Sequence, residues 1–213
     1  EIGLRVNPAI GIGRACNTKL HYAGCVTTKF GIYQEQFAEA LTTAREFGLR
    51  VTKIHFHTGC GYLTPELEQW ERVIESCLWF VDTAGTIERV NVGGGLGVPH
   101  LADDQPLDLT QWAAVLARQF SGRKLHVEIE PGDYLVKDAG LLLLGKTFVE
   151  RKQETTFIGV DAGFNIAPEP AHYDLPFQPV PLRWDNTPCT RAHVVGNINE
   201  ALDVWYRDAL LPD

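Results

Sequence analysis

The sequence predicts an α/β fold in which parallel strands joined by helices are followed by a β-rich unit. Three observations predict it. Strand and helix patterns alternate as β-α-β-α-β-α-β over residues 4–129, the order that parallel strands with crossover helices require. Beyond Gly132 the strand patterns run on without helices between them. Four short segments recur in order: 55–61 (His-Phe-His-Thr-Gly-Cys-Gly), 93–97 (Gly-Gly-Gly-Leu-Gly), 128–133 (Glu-Ile-Glu-Pro-Gly-Asp) and 160–165 (Val-Asp-Ala-Gly-Phe-Asn). The first three fall at or just after the ends of predicted strands. Each is weak alone; as an ordered set they point to a barrel with these segments at its strand ends.

Taken in order, residues 4–6 form a short strand. Residues 8–28, with glycines at 11, 13 and 24, read as a long loop, and loops of that length within a domain are commonly functional. Residues 34–47 place Phe37, Ala38, Leu41, Ala44 and Phe47 at helical spacing, and Gly48 ends the helix. Residues 51–56 are a strand. Thr64 reads as the N-cap of the next helix, with Pro65 at its first position and Glu66 and Glu68 suiting its positive end. Leu67 at the third position denies it a full capping box. That helix runs to Thr83. Residues 90–92 are a strand, 109–120 a helix with Trp112, Ala113, Leu116 and Phe120 inward, and 125–129 a strand. Residues 141–149, 155–160 and 192–195 read as further strands, and 168–188, with six prolines, as mainly loop. The expected division is a first unit over 1–133 and a β-rich unit over 134–213.

Composition excludes several classes. The 213 residues are 45% hydrophobic and 22% charged, as in globular domains with a sizeable core. A net charge of -8 argues against nucleic-acid and membrane-surface partners. No apolar run approaches the roughly 18 residues that would span a bilayer. The five cysteines, Cys16, Cys25, Cys60, Cys77 and Cys189, are scattered without a CxxC pair and read as reduced thiols of a cytoplasmic protein. The chain opens on a strand already under way and has no methionine, so it is expected to be a piece of a longer polypeptide.

The segments carry chemistry. Triple glycine directly after a strand lets backbone N–H groups approach an anion, although a plain tight turn would also use it. His55 and His57, two residues apart, share a strand face. A shared metal site is disfavoured because no third ligand stands at a fitting spacing. Pro131 ends the ladder, so the Glu130 carboxylate sits at the strand mouth. There a carboxylate against a heteroaromatic nitrogen would hold that nitrogen protonated. Glu128, deeper on the same face, reads as a salt-bridged residue.

These residues resemble the fold-type III pyridoxal-phosphate decarboxylases, most closely the diaminopimelate decarboxylase branch. The matching stretches are 3–8, 28–32, 55–61, 93–99, 128–132, 160–165 and 194–200. The resemblance implies an alanine racemase-like fold, with this chain the C-terminal half of a (β/α)8 TIM-type barrel followed by part of a β-rich domain. It implies a pyridoxal 5'-phosphate (PLP) cofactor, no metal, and a homodimer with its active site at the interface. His57 would stack on the pyridine face, and Glu130 would pair with its nitrogen. Arg5 would lie near the ring. Gly59, Cys60, Gly61, Gly93, Gly94, Gly95, Gly132 and Asp133 would surround the phosphate. Asp161, Glu169, Tyr173 and Glu200 would face substrate, Glu200 across the dimer interface. The family's Schiff-base lysine and a phosphate-contacting tyrosine are expected outside these residues.

Departures from the family pattern are equally specific. Cys-Glu-Ser reads Asn199-Glu200-Ala201 here, so Asn199 replaces the cysteine near the reacting carbon. Glu-Pro-Gly-Arg reads Glu130-Pro131-Gly132-Asp133, and Glu169 takes the place of a substrate-gripping arginine. Cys60 stands for a phosphate-loop serine. Cations lost and acids gained would reverse the charge preference of a pocket. The expectation is therefore decarboxylation of an amino acid other than diaminopimelate, cationic or nucleotide-linked, as in antibiotic or siderophore biosynthesis. A non-catalytic homologue acting as a regulatory partner is the alternative. The retained His57, Glu130, Arg5 and triple glycine argue against it.

Overall fold

The computed structural model describes residues 1–14, 17–24, 26–183 and 188–212, so Cys16 and Cys25 lie outside the described residues. The chain divides into two compact units. The first comprises Glu1–Pro99 and Asp103–Gly140, the second His100–Ala102 and Leu141–Asp213. The division at Gly140 lies later than the expected one at Asp133, because the short helix after Glu130 belongs with the first unit.

The first unit is a four-stranded sheet in the order β1 (Ile2–Arg5), β2 (Val51–His55), β3 (Arg89–Asn91) and β4 (His126–Glu128), every pairing parallel. Among the described residues it is an open sheet. Its helices are α1 (Gln34–Glu46), α2 (Leu67–Ala84), α3 (Leu109–Phe120) and the short α4 (Asp133–Val136). Register explains the two faces. Leu4, Ile54, Val90 and Val127 align across the four strands. They join the core with Phe56, Tyr62, Trp70, Val73, Phe80 and Trp112. One residue on, Arg5, His55, Asn91 and Glu128 align in the same way. Side chains alternate along a strand, so this polar row lies on the other face.

Local chemistry sets the element ends. Gly48 follows α1 at φ +66°, and Gly85 caps α2 at φ +66°, a left-handed conformation that favours glycine. Thr64 is not an N-cap. A 3₁₀ turn over Thr64–Glu66 precedes α2. Glu66 Oε2 accepts the Leu63 N–H at 2.8 Å, giving one arm of a capping box a residue earlier than the sequence suggests. The Thr64 hydroxyl instead accepts the Asp108 N–H at 2.7 Å and donates to the Pro106 carbonyl at 2.6 Å, tying this turn to the start of α3. In α3 the buried residues are Trp112 and Val115, whereas Ala113 is exposed. The long loop contains a 3₁₀ turn, Thr18–Leu20, whose Leu20 is buried.

The second unit is a sheet in the order β5 (Lys146–Lys152), β6 (Thr155–Val160), β7 (Cys189–Val195) and β8 (Val204–Pro212). β5 and β6 form an antiparallel hairpin, β6 and β7 are parallel, and β7 and β8 antiparallel. A short helix, α5 (Glu169–Tyr173), interrupts the proline-rich loop. A small core of Val160, Val194, Trp205 and Ala209 holds the unit.

Candidate active site

The first unit gathers most of the predicted site residues at the carboxyl ends of its parallel strands. The polar row supplies the base. Lys53 pairs with Glu128, which holds that carboxyl below its usual range. Glu128 is thus a salt-bridged residue of the sheet, as the sequence suggests. Beyond the row, the Glu130 N–H donates to the Gly93 carbonyl at 2.9 Å, so the end of β4 and the triple-glycine turn are joined through backbone.

Asn91 organises the mouth of the sheet. It is buried at 5% exposure at the end of β3. Its Oδ1 accepts the Gly93 N–H at 2.8 Å, and its Nδ2 donates to Glu130 Oε1 at 2.8 Å. One side chain therefore fixes both the glycine turn and the carboxylate. His55 Nε2 lies 3.5 Å from Glu130 Oε2. The Glu130 side chain remains 54% exposed, leaving it open to a ligand.

His57 stands beside this group. Burial, reinforced by the Arg5 and His55 charges, pushes its imidazole pKa down, so the ring is neutral at ordinary pH. Its Nδ1 is buried without a hydrogen-bond partner. Tyr22 meets the ring edge-on at 5.3 Å between centroids, and the Tyr22 hydroxyl lies 3.1 Å from Cys60 Sγ. Burial raises the Cys60 thiol, and Asp133 and Lys137 are near enough to act on it in opposite directions. The Arg5 guanidinium donates to the His57 carbonyl at 3.3 Å and lies over the Phe30 ring at 4.6 Å. Asp133 is paired with Lys137 at 3.3 Å.

The glycines serve close approach. Gly93 and Gly95 have φ of +75° and +92°. A Cβ at Gly93 would stand 2.5 Å from the Phe56 carbonyl and 3.0 Å from His57 Nδ1. At Gly94 it would overlap the Glu130 carbonyl, and at Gly95 the Gly59 carbonyl. Gly59 and Gly61 also have positive φ, and a Cβ at Gly59 would strike the Ile12 carbonyl. The 57–61 and 93–97 loops therefore pack backbone to backbone on each other, on the Glu130 carbonyl and on the long loop at Ile12. Gly132 has open space where its Cβ would be.

The remaining predicted residues lie in the second unit. Asp161 Oδ1 accepts the Gly145 N–H at 2.8 Å. Glu169 opens α5 and Tyr173 ends it. His172 on the same helix meets Phe164 edge-on at 5.4 Å, which places the helix beside the 160–165 segment. Asn199 and Glu200 are exposed on the turn between β7 and β8. No cluster suited to a metal ion occurs among the described residues. None of their helices is long and apolar enough to cross a membrane.

Sequence reading missed Asn91, Tyr22 and Phe30. Asn91 left one signal, an amide directly before the Val92-Gly93 strand end. Tyr22 lies in an aperiodic loop and left none, whereas Phe30 falls in the matching stretch 28–32 but carried no role of its own there.

Comparison with known proteins defines the class. Residues 1–137 match the pyridoxal binding domain of the pyridoxal-dependent decarboxylases, and residues 78–213 match the C-terminal sheet domain of the same enzymes. The chain belongs to the pyridoxal-dependent decarboxylase family. The diaminopimelate decarboxylase of Methanothermobacter thermautotrophicus is 32% identical over 234 residues, covering 100% of this chain and 51% of that protein. That of Streptomyces coelicolor is 33% identical over 179 residues, 81% of this chain and 39% of that protein. The crystal structure of Helicobacter pylori diaminopimelate decarboxylase complexed with L-lysine superposes with a TM-score of 0.82 at 25% identity, over 100% of this chain and 52% of that one. The chain spans about half the length of the curated relatives it matches.

Proposed function

We propose that the protein containing this chain decarboxylates an amino acid with PLP held at the mouth of the first unit. The observation that carries this is the Asn91–Glu130 pair beside the buried, partnerless Nδ1 of a neutral His57. The residues fit the cofactor. A carboxylate steadied by an amide suits a ring nitrogen that must stay protonated. A neutral imidazole suits an aromatic face, and the glycine loops, packed backbone to backbone, gather main chain at the strand mouth where a phosphate would be held. When bound, PLP supplies an electron sink for the pair left as carbon dioxide departs.

The chain's own groups do the rest. Glu130 holds the proton at the ring nitrogen. Asn91 keeps the Glu130 carboxylate in place and holds the Gly93 turn. His57 covers one face of the ring and excludes water from it. Arg5 braces the His57 backbone and carries positive charge beside the ring. Asp161, Glu169, Tyr173, Asn199 and Glu200 remain the substrate-side residues of this reading. The parallel sheet is read as part of a (β/α)8 barrel, in a homodimer with Glu200 offered across the interface.

The expectation against diaminopimelate finds no support in the relatives, which are named diaminopimelate decarboxylases. Part of its physical basis also weakens. Asp133 is paired with Lys137, whose side chain is only 12% exposed, so the acid gained there is offset locally. Diaminopimelate is therefore the first substrate to test, with lysine, ornithine and arginine beside it. In the full-length protein, PLP binding and carbon dioxide release are expected. Glu130→Ala is expected to lower turnover on the order of 100-fold. Absence of both PLP binding and carbon dioxide release from the intact protein would overturn the reading.

A further inference from the structure

We propose that Asp203 is a positioning residue. Its buried carboxylate sets the turn bearing Asn199 and Glu200 against the segment 161–164. The substrate-facing part of this inference rests on the reading of Glu200 given above. The tether itself rests on the structure.

The segment 160–165 stood out in the sequence without a physical role. In the second unit it runs off the end of β6, and the turn 196–203 runs off the end of β7. Asp203 is 4% exposed, and its side chain is held by backbone N–H groups from both. Oδ1 accepts the Phe164 N–H at 3.0 Å and Oδ2 the Ile198 N–H at 2.8 Å. Its own backbone closes the turn, with the Gly196 N–H donating to the Asp203 carbonyl at 2.9 Å and the Asp203 N–H to the Glu200 carbonyl at 3.0 Å. Asn197 adds a second stitch. Its N–H donates to the Ala162 carbonyl and its Nδ2 to the Asp161 carbonyl, both at 3.2 Å.

Two glycines make room for the carboxylate. A Cβ at Gly163 would stand 2.6 Å from Asp203 Oδ2 and 2.6 Å from Ile198 Cγ1, and one at Gly196 would overlap the carboxylate itself. The glycine in Asp-Ala-Gly and that in Val-Val-Gly therefore serve one acid, at the far end of the turn that Gly196 opens. A carboxylate accepting two amide N–H bonds is a strong fixed joint, because such bonds are charge-assisted. Its loss leaves both partly buried amides without their acceptor. Glu200, exposed three residues before Asp203, depends on that joint for its direction.

The test uses the full-length protein with Asp203→Ala, Asp203→Asn and Glu200→Gln, read by site-resolved amide exchange and by KM and kcat with PLP bound. In D203A, the Phe164 and Ile198 amides are expected to exchange about 10-fold faster or more, the loss of roughly 1.4 kcal/mol. D203N keeps one acceptor oxygen and is expected to protect only one of the two amides. KM is expected to rise on the order of 10-fold in D203A, with PLP affinity unchanged. Wild-type exchange at both amides in D203A would overturn the tether. Faster exchange with unchanged KM, while E200Q raises KM, would overturn the positioning role. A silent E200Q with faster exchange in D203A would sink the Glu200 reading and leave the tether supported. If D203A fails to fold, D203N and Gly163→Ala, which presses on the same oxygen, carry the exchange test.

Discussion

Asn91, which was not singled out from the sequence, joins the glycine turn to the Glu130 carboxylate. Alanine there would free the Gly93 N–H and leave Glu130 without its amide donor. Each lost bond to a charged or buried group is worth about 1–3 kcal/mol. N91A is therefore expected to weaken PLP binding to the intact protein by about 10- to 100-fold, as measured by equilibrium titration. N91D would set a carboxylate within hydrogen-bond distance of Glu130 and is expected to be worse than alanine, because like charges repel there. A Kd for N91D equal to that of wild type would show that Glu130 does not depend on this contact. Glu130 itself was legible in the sequence because Pro131 fixes where its strand stops. Asn91 was less so, since an amide in a strand has no periodic signature and its role appears only when β3 and β4 are in register.

The elements divide by how strongly local pattern fixes them. The helix at 109–120 was legible to its ends, because Trp112 and Leu116 keep helical spacing and the chain turns polar at both sides. Ala113 was misassigned inward because a small apolar residue fits either face. β8 left little trace. Its alternation is broken at Asp208, which has φ +54°, and Pro212 closes it. Docking of α2 is set by a stack no sequence pattern reveals. Trp70 stacks on both Tyr62, 5.4 Å away at 20°, and Trp112, 6.5 Å away at 8°. Trp112 Nε1 donates to the Tyr62 hydroxyl at 3.2 Å. Trp70 is 1% exposed, yet its Nε1 has no hydrogen-bond partner. W70A is expected to cost about 3–5 kcal/mol in urea unfolding. W70F is expected to cost far less, since it keeps most of the ring and removes an unpaired buried donor. Equal losses would mean that a phenyl ring cannot sustain the stack and that the full indole surface secures the helix.

At the scale of the molecule, the polar row across the parallel sheet is the unusual feature. Parallel sheets are ordinarily covered by apolar contacts on both faces. Here Arg5, His55, Asn91 and Glu128 align on one face, and Lys53 and Glu128 remain 28% and 27% exposed. Such a face gains little from apolar burial and leaves much of its stabilisation to whatever binds it. A ligand that binds only the folded state adds RT ln(1 + [L]/Kd), about 2.7 kcal/mol at 100 times Kd. PLP is therefore expected to raise the melting temperature of the intact protein by several degrees, with the shift growing as the logarithm of its concentration. Pyridoxal without the phosphate is expected to give a smaller shift, because the proposed site assigns the phosphate to the backbone of the glycine loops. N91A and E130A should shrink the PLP shift. D203A should leave it intact, because its tether lies in the second unit. A PLP shift that vanished in D203A while surviving in E130A would reverse the assignment of the cofactor to the first unit.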